Sequence, residues 1–290
     1  MKVAIQMYSV RETLAKEPLA TMKSVAEMGY KYWETWEIRD VDDVPNNYGL
    51  GGLPADEARD LLKELGVTVI GSHISSDSMY NEKKLEAFLD YQQAVGCWNP
   101  GLSMDFFPDV AFIKKWGENM NRIGQMCRDR GMHWHYHNHY HEFQVYEGKY
   151  VTDWILEFTD PALVDFELDT FWAARAGVDP VAMIERYADR LVMLHQKDFA
   201  KNAPQKMNLF DGIVDPDTPI TTFEAFRHTD DRCFAEVGTG VMDIQAIIDA
   251  GNQANIPYIT LEQDKTQLGE LESVKVSMDA FRKYSGIEWQ

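Results

Sequence analysis

The chain has 290 residues, 45% of them hydrophobic, and 28 Lys and Arg against 47 Asp and Glu give a formal net charge of −19. That is enough apolar material for one sizeable core, and α/β barrels commonly form a single domain at this length. So acidic a surface repels phosphate backbones, which argues against a nucleic-acid partner and for a small or neutral substrate.

The opening MKVAIQMYSVRETL reads as neither a signal peptide nor a membrane helix, and no apolar stretch is long enough for a membrane partner. It supplies a first strand, Val3 to Met7, followed by an amphipathic helix over Glu12 to Met28 that Gly29 ends. Tyr32 to Trp36 is a second strand that exposes Glu34 and Glu37 at its end. A loop rich in Asp, Asn and Gly (Asp40 to Gly52) leads to a helix over Pro54 to Leu65. Val67 to His73 is the third strand, and Glu82 to Val95 the next helix, stopped by Gly96. The fourth strand, Cys97 to Ser103, is interrupted by Asn99-Pro100-Gly101. A long helix, Asp109 to Arg130, is closed by Gly131. Cys97, Cys127 and Cys233 are odd in number and lack CxxC spacing, which reads as reduced thiols of a cytoplasmic protein.

Next comes Met132 to Phe143, MHWHYHNHYHEF. His133, His135, His137, His139 and His141 recur at every second residue, so a fifth strand here puts all five on one face. Trp134, Tyr136, Asn138 and Tyr140 fall on the other. A helix near Thr152 to Phe158, a strand over Leu163 to Asp169, a helix over Pro180 to Tyr187 and a strand over Leu191 to His195 follow. Asp198 to Arg232 has no clear period and reads as a long loop insert over one end of the fold. After a short extended piece at Phe234 to Gly240, the helix Asp243 to Asn252, the strand Tyr258 to Glu262 and the helix Leu268 to Tyr284 complete eight strand–helix repeats. They imply one α/β domain over residues 1–290, a closed (β/α)8 TIM barrel. A doubly wound open sheet is the alternative. No GxGxxG or Walker-type loop follows the first strand to support its nucleotide-binding versions.

Barrel active sites lie at the C-terminal ends of the strands. The fifth exit offers His137, His139 and Glu142. The sixth offers Asp165, Glu167 and Asp169; the seventh His195, Lys197 and Asp198; the eighth Thr260, Glu262 and Asp264. A lone terminal Asp is usually a turn former or helix cap. Four adjacent exits ending in such groups point to a divalent cation that holds mutually repelling carboxylates together. Glu142, Asp169, His195 and Glu262 make a mostly oxygen-donor set, which favours Mn²⁺, or Mg²⁺ or Co²⁺, over a structural zinc. His139 and Glu142 differ by three residues, so the strand must end or bend between them.

These residues carry a resemblance. QMYSVRE, YHNHYHEF, LDTFWAARAGVDP, LHQKDF, EVGTGVMD and ITLEQD are similar to motifs of the sugar phosphate isomerase/epimerase family of xylose isomerase-like TIM barrels, over nearly the whole chain. The resemblance implies metal ligands at Glu142, Asp169, His195 and Glu262, with His139 as proton-transfer group and Lys197 as positioning or charge-stabilising group. Glu142 and Glu262 then serve catalysis as well, and His137, Trp172, His73 and Glu236 are candidate substrate contacts. The resemblance implies an isomerase or epimerase that abstracts a proton beside a carbonyl and passes through an enediolate, with a lyase as the alternative. The family's inosose dehydratases, and the metal subunits of enzymes that cleave carbon-linked glycosides, eliminate a β-substituent from a keto sugar. The implied substrate is a sugar or glycoside, and the assembly is left open between a homo-oligomer and a hetero-oligomer with a small partner subunit. Phe171 and Trp172 after Asp169-Thr170 depart from the commoner LDTGH or LDTGW, as a stacking surface for substrate or as core aromatics. No phosphate cradle is visible at the last two exits. Trp33, Trp36 and Trp98 read as exposed aromatics of a pocket or interface. A zinc endonuclease on the same barrel conflicts with the negative charge, and a non-enzymatic sugar-binding barrel conflicts with a complete ligand set.

Overall fold

The computed structural model describes residues 1–38 and 47–289. Eight parallel strands close into a barrel: β1 (Lys2–Gln6), β2 (Tyr32–Trp36), β3 (Thr68–Ile74), β4 (Asn99–Leu102), β5 (His135–His137), β6 (Asp165–Asp169), β7 (Leu191–Gln196) and β8 (Tyr258–Leu261). Each strand pairs with its sequence neighbours, and β8 returns to β1 with Lys2 opposite Tyr258. Among the described residues no helix is long and apolar enough to cross a membrane.

Local chemistry sets the element bounds. The helix expected over Glu12 to Met28 is two, Arg11–Lys16 and Pro18–Glu27. Pro18 has no N–H to continue the first ladder and is pre-set for the first position of a new helix. Gly66 and Gly96 end their helices in the left-handed region, as expected of C-terminal glycines. The Asp- and Asn-rich stretch Asp40 to Asn46 lies outside the described residues. Trp33, read as exposed, is fully buried against the helices, and Trp98 packs edge-on against His133 at the base of the barrel.

The histidine stretch departs most from its pattern. Only His135 to His137 is strand, and His141 to Phe143 form a 3-10 turn. The strand ends where Asn138 turns inward, accepting a hydrogen bond from the Asp169 backbone N–H and donating one to the His139 carbonyl. The five rings therefore do not share a face. His133 lies at the exposed base, 3.1 Å from Asp165. His135 and His137 point into the barrel, and His141 turns back to the Asp105 carbonyl at 2.8 Å.

Barrel interiors are commonly filled by layers of branched apolar residues. Here only Ala4, Ile70 and Met193 form an apolar plug, flanked by Tyr32, Trp98 and Tyr258. Above it the inward positions are Glu34, His135, Glu167 and His195, all fully buried. Glu34, which the strand pattern left exposed at a strand end, is thus inside the barrel.

The Asp198 to Arg232 segment is pinned at both ends. Asp198–Phe199 pairs antiparallel with Phe234–Ala235. Asp198 accepts backbone N–H bonds from Gly238, Gly240 and Met242, so it serves this loop and not the cavity. Within the segment, a short helix at Phe223–Phe226 places Phe226 edge-on to His139 at 5.2 Å and beside Trp172.

Candidate active site

A cavity of about 850 Å³ opens at the C-terminal end of the barrel. His137, His139, Glu262 and Asp264 lie on its floor and wall, with Trp36, Trp172, Phe223 and Phe226 around the mouth. Trp36 is therefore a cavity aromatic. Of the pair following Asp169-Thr170, Trp172 faces the cavity, and Phe171 is a core residue stacked on Phe234.

At the floor, His137, Asp169, His195 and Glu262 each present one donor atom, all within 4.8 Å of one another and all buried. This group differs from the expected ligand set: Glu142 lies outside it and His137 stands in it. The Glu142 carboxylate takes a hydrogen bond from Tyr136 Oη and one from the His139 backbone N–H at 2.9 Å. Tyr136 lies on the outward face of β5, against Trp116 and Phe107, so Glu142 is drawn behind the barrel wall. The strand ends too early to return position 142 to the interior.

The donor chemistry suits a cation. His137 Nδ1 lies 3.1 Å from the Ser103 carbonyl oxygen. A carbonyl only accepts, so Nδ1 carries a proton, and Nε2 faces Asp169, 3.5 Å away. That Nε2 has no hydrogen-bond partner. A ligand histidine typically donates its other nitrogen to such a carbonyl. Asp169 also caps the helix that follows it, accepting from the Trp172 N–H at 2.8 Å, so it is both helix cap and cluster member.

Lys197 is fully buried, and its ammonium contacts Asp169, Glu262 at 2.5 Å and Asp264 at 3.6 Å. Burial lowers its pKa, but Asp169, Asp264 and Glu262 outweigh that and raise it, so it stays charged. The same contacts act in reverse on Glu262. Burial raises it, and Lys197 and His195 bring it well below the usual carboxylate range.

His139 lies beside this group, 5.0 Å from the His137 ring and 5.5 Å from Trp172. Its Nδ1 is shielded from solvent and has no hydrogen-bond partner. Desolvation, with His137 and His141 adding to it, holds its pKa well below the ordinary value, so the ring is neutral. Asp264 moves the other way. Burial, opposed by Lys197 and reinforced by Glu262 and Asp169, pushes it up to about 7.

His73 lines the cavity but belongs to a second, deeper group with Glu34, Glu167 and His195. Glu236 does not reach the cavity lining. Its carboxylate accepts from Thr266 at 2.7 Å and Ser273 at 2.9 Å. Asp264, Glu34 and Phe226 are site residues to which strand-exit reasoning assigned no role. Glu34 was legible as an acidic residue in an apolar strand, whereas Phe226 carries no signal in its neighbours.

Comparison with known proteins agrees with the barrel fold. The family model described as xylose isomerase-like TIM barrel matches residues 22–284. An inosose dehydratase of Geobacillus kaustophilus is 29% identical over 201 residues, 61% of this chain and 60% of that protein. The chain thus spans about three fifths of the length of that curated relative. A crystal structure of a sugar phosphate isomerase/epimerase from Parabacteroides distasonis superposes with a TM-score of 0.75 at 20% identity, over 99% of this chain and 96% of that one. The IOLI protein, solved with a binding zinc atom, gives 0.70 at 13% identity over 97% and 96%. At these identities the two structures bear on the fold alone.

Proposed function

The chain belongs to the xylose isomerase-like TIM barrel family, and we propose that it is a divalent-cation-dependent lyase that removes water from a polyhydroxylated ketone of the keto-sugar or inosose class. The relative named inosose dehydratase motivates elimination over isomerisation. The observation that carries the reading is the His139 ring, neutral and with an unpartnered Nδ1, beside a four-donor group on the floor of a cavity.

His137, Asp169, His195 and Glu262 would hold the cation. When bound it supplies positive charge for two neighbouring substrate oxygens and for the charge that develops on the carbonyl. Two imidazoles and two carboxylates are a less purely oxygen set than the one expected with Glu142, so Zn²⁺ joins Mn²⁺ and Co²⁺ as a candidate. The neutral His139 ring accepts the proton from the carbon beside the carbonyl. Asp264, whose Oδ2 has no hydrogen-bond partner, gives its proton to the departing β-hydroxyl as the C–O bond breaks. Water and a conjugated enone are the products. The two groups have pKa values pushed in opposite directions, as a base and an acid working at one pH require. Lys197 keeps Asp169 and Glu262 in place and stabilises charge near the carbonyl. Trp172, Phe226 and Trp36 give the substrate an apolar face and limit water.

The second reading is an isomerase or epimerase, in which His139 returns the proton to carbon. Incubation with an inosose or a keto-sugar in D₂O separates them. Enone absorbance with release of water supports the lyase. Deuterium incorporation without a second product shows isomerisation, and neither signal removes both.

A further inference from the structure

Below the cation group described above, the barrel holds a second set of buried donors. Glu34, His73, Glu167 and His195 offer atoms within 4.8 Å of one another, and His135 adjoins them. His73 Nε2 lies 3.2 Å from Glu34 Oε1 and 2.9 Å from Glu167 Oε2. His135 Nε2 lies 3.7 and 3.3 Å from the same two oxygens. A four-coordinate ion with bonds of about 2.0–2.2 Å separates its ligand atoms by roughly 3.3–3.6 Å. These four contacts bracket that spacing.

The unpartnered buried atoms of this group fit a cation between them. Asn99 donates its amide N–H toward Asp165, which fixes its Oδ1 toward His135 Nδ1 at 3.2 Å. His135 therefore carries a proton on Nδ1, and its Nε2 faces two carboxylate oxygens. His135 Nε2, Glu34 Oε1 and Glu167 Oε1 are buried and have no hydrogen-bond partner. His73 meets only the Gln6 amide at its Nδ1, at 3.5 Å, so that side does not fix its tautomer strongly.

Room for the group has been cleared from neighbouring strands. A Cβ on Gly71 would lie 2.6 Å from Glu34 Oε1, and one on Gly101 would lie 2.4 Å from the His135 ring. Glycine inside a strand often marks such a close approach.

We propose a second divalent-cation site at mid-barrel, held by Glu34, Glu167, His135 and His73 and reached from the cavity past His73. It takes an ion that accepts mixed nitrogen and oxygen ligands, such as Zn²⁺ or Co²⁺. His195 links the two sites. Its Nδ1 faces Glu262 at 3.1 Å, and its Nε2 faces Glu34 at 2.5 Å and Glu167 at 3.1 Å. A neutral His195 has one lone pair, so it ligates the upper ion through Nδ1 and donates Nε2–H to a carboxylate of the lower site.

The test is uptake of Co²⁺ by the chelator-treated full chain, read by equilibrium dialysis with elemental analysis and by the visible spectrum. Glu167→Gln removes a deep donor, Asp169→Asn an upper one, and Glu34→Gln repeats the deep test should Glu167→Gln fail to fold by circular dichroism. We expect about two ions per wild-type chain and about one in each variant, with different spectra for the ion that remains. One ion in wild type that Glu167→Gln keeps and Asp169→Asn loses overturns the deep site and leaves the upper one standing. One ion with the opposite pattern upholds the deep site and refutes the upper one. No uptake refutes both.

Discussion

His137 Nδ1 lies 3.1 Å from the carbonyl oxygen of Ser103, and that one contact decides what the other nitrogen of the ring can do. With Nδ1 committed to Ser103, Nε2 is the nitrogen left to meet a cation on the cavity floor. We expect His137→Ala to weaken divalent-ion affinity by more than the roughly 10–100-fold that loss of an outer partner costs. Glu262→Gln should also lose the upper ion. Glu142→Gln should keep it, because Tyr136 and the His139 N–H already hold that carboxylate. Metal content of the purified variants checks all three. Loss of ion in Glu142→Gln with retention in His137→Ala would restore the ligand set read from the sequence.

His139 is the second case. It touches no donor of the cation group through a hydrogen bond, and its Nδ1 is free. His139→Gln should lower turnover by about 10²–10⁴-fold while metal content stays unchanged. Turnover within a few-fold of wild type would remove the proton-transfer role. Loss of metal together with turnover would move His139 into the ligand set instead.

How far these residues could be read in advance depends on what each signal measures. Apolar periodicity and helix-ending glycines place all eight strands, because both report burial and backbone geometry that neighbours in sequence share. Asp169, His195 and Glu262 follow once the strand ends are placed, since an exit residue on the inward parity has one place to go. Glu142 does not, because its fate rests on where β5 stops. That is set by Asn138 bonding to the Asp169 N–H across a strand pair, a contact between residues far apart in sequence. Glu34 is hidden for a related reason. β2 shifts register against β3 between Trp33 and Glu34, and the partners that make an interior carboxylate tolerable, His73 and His195, come from β3 and β7.

Charge inside the barrel makes stability depend on pH. Burial lowers the His73 pKa, but Glu34 and Glu167 outweigh it and push it up to about 9 from 6.5. The folded state therefore binds more protons than the unfolded state between those values. Its contribution to stability is complete below about pH 6.5 and is lost as pH rises through 9. The unfolding midpoint of chelator-treated protein should fall over that range, and His73→Gln should flatten the fall. His195, raised well above its usual value by Glu167 and Glu34 against its burial, leaves a residual slope in the variant. Identical slopes for both proteins would mean that His73 is not charged in the fold.

Arg175 ties the loop over the mouth to the barrel. Its guanidinium is buried and donates to the carbonyls of Lys206 and Met207 at 2.6 and 2.9 Å, and to Gln205 Oε1 at 3.0 Å. Gln205 in turn accepts from the Asp230 N–H and donates to the His228 carbonyl, so one arginine fixes both limbs of the segment that presents Phe226. Burial brings the Arg175 pKa down to about 10, which still leaves it charged at neutral pH. Arg175→Met keeps the stem and removes the donors, stranding buried carbonyls. We expect a loss of about 2–4 kcal/mol in unfolding free energy. Because Phe226 faces the cavity from this loop, beside Trp172, KM should rise more than kcat falls. Metal content should not change, since no cation donor lies in the segment. Protease cleavage between residues 200 and 230 that speeds up in the variant would locate the loosening, and unchanged cleavage with unchanged KM would show that the loop is held by other contacts.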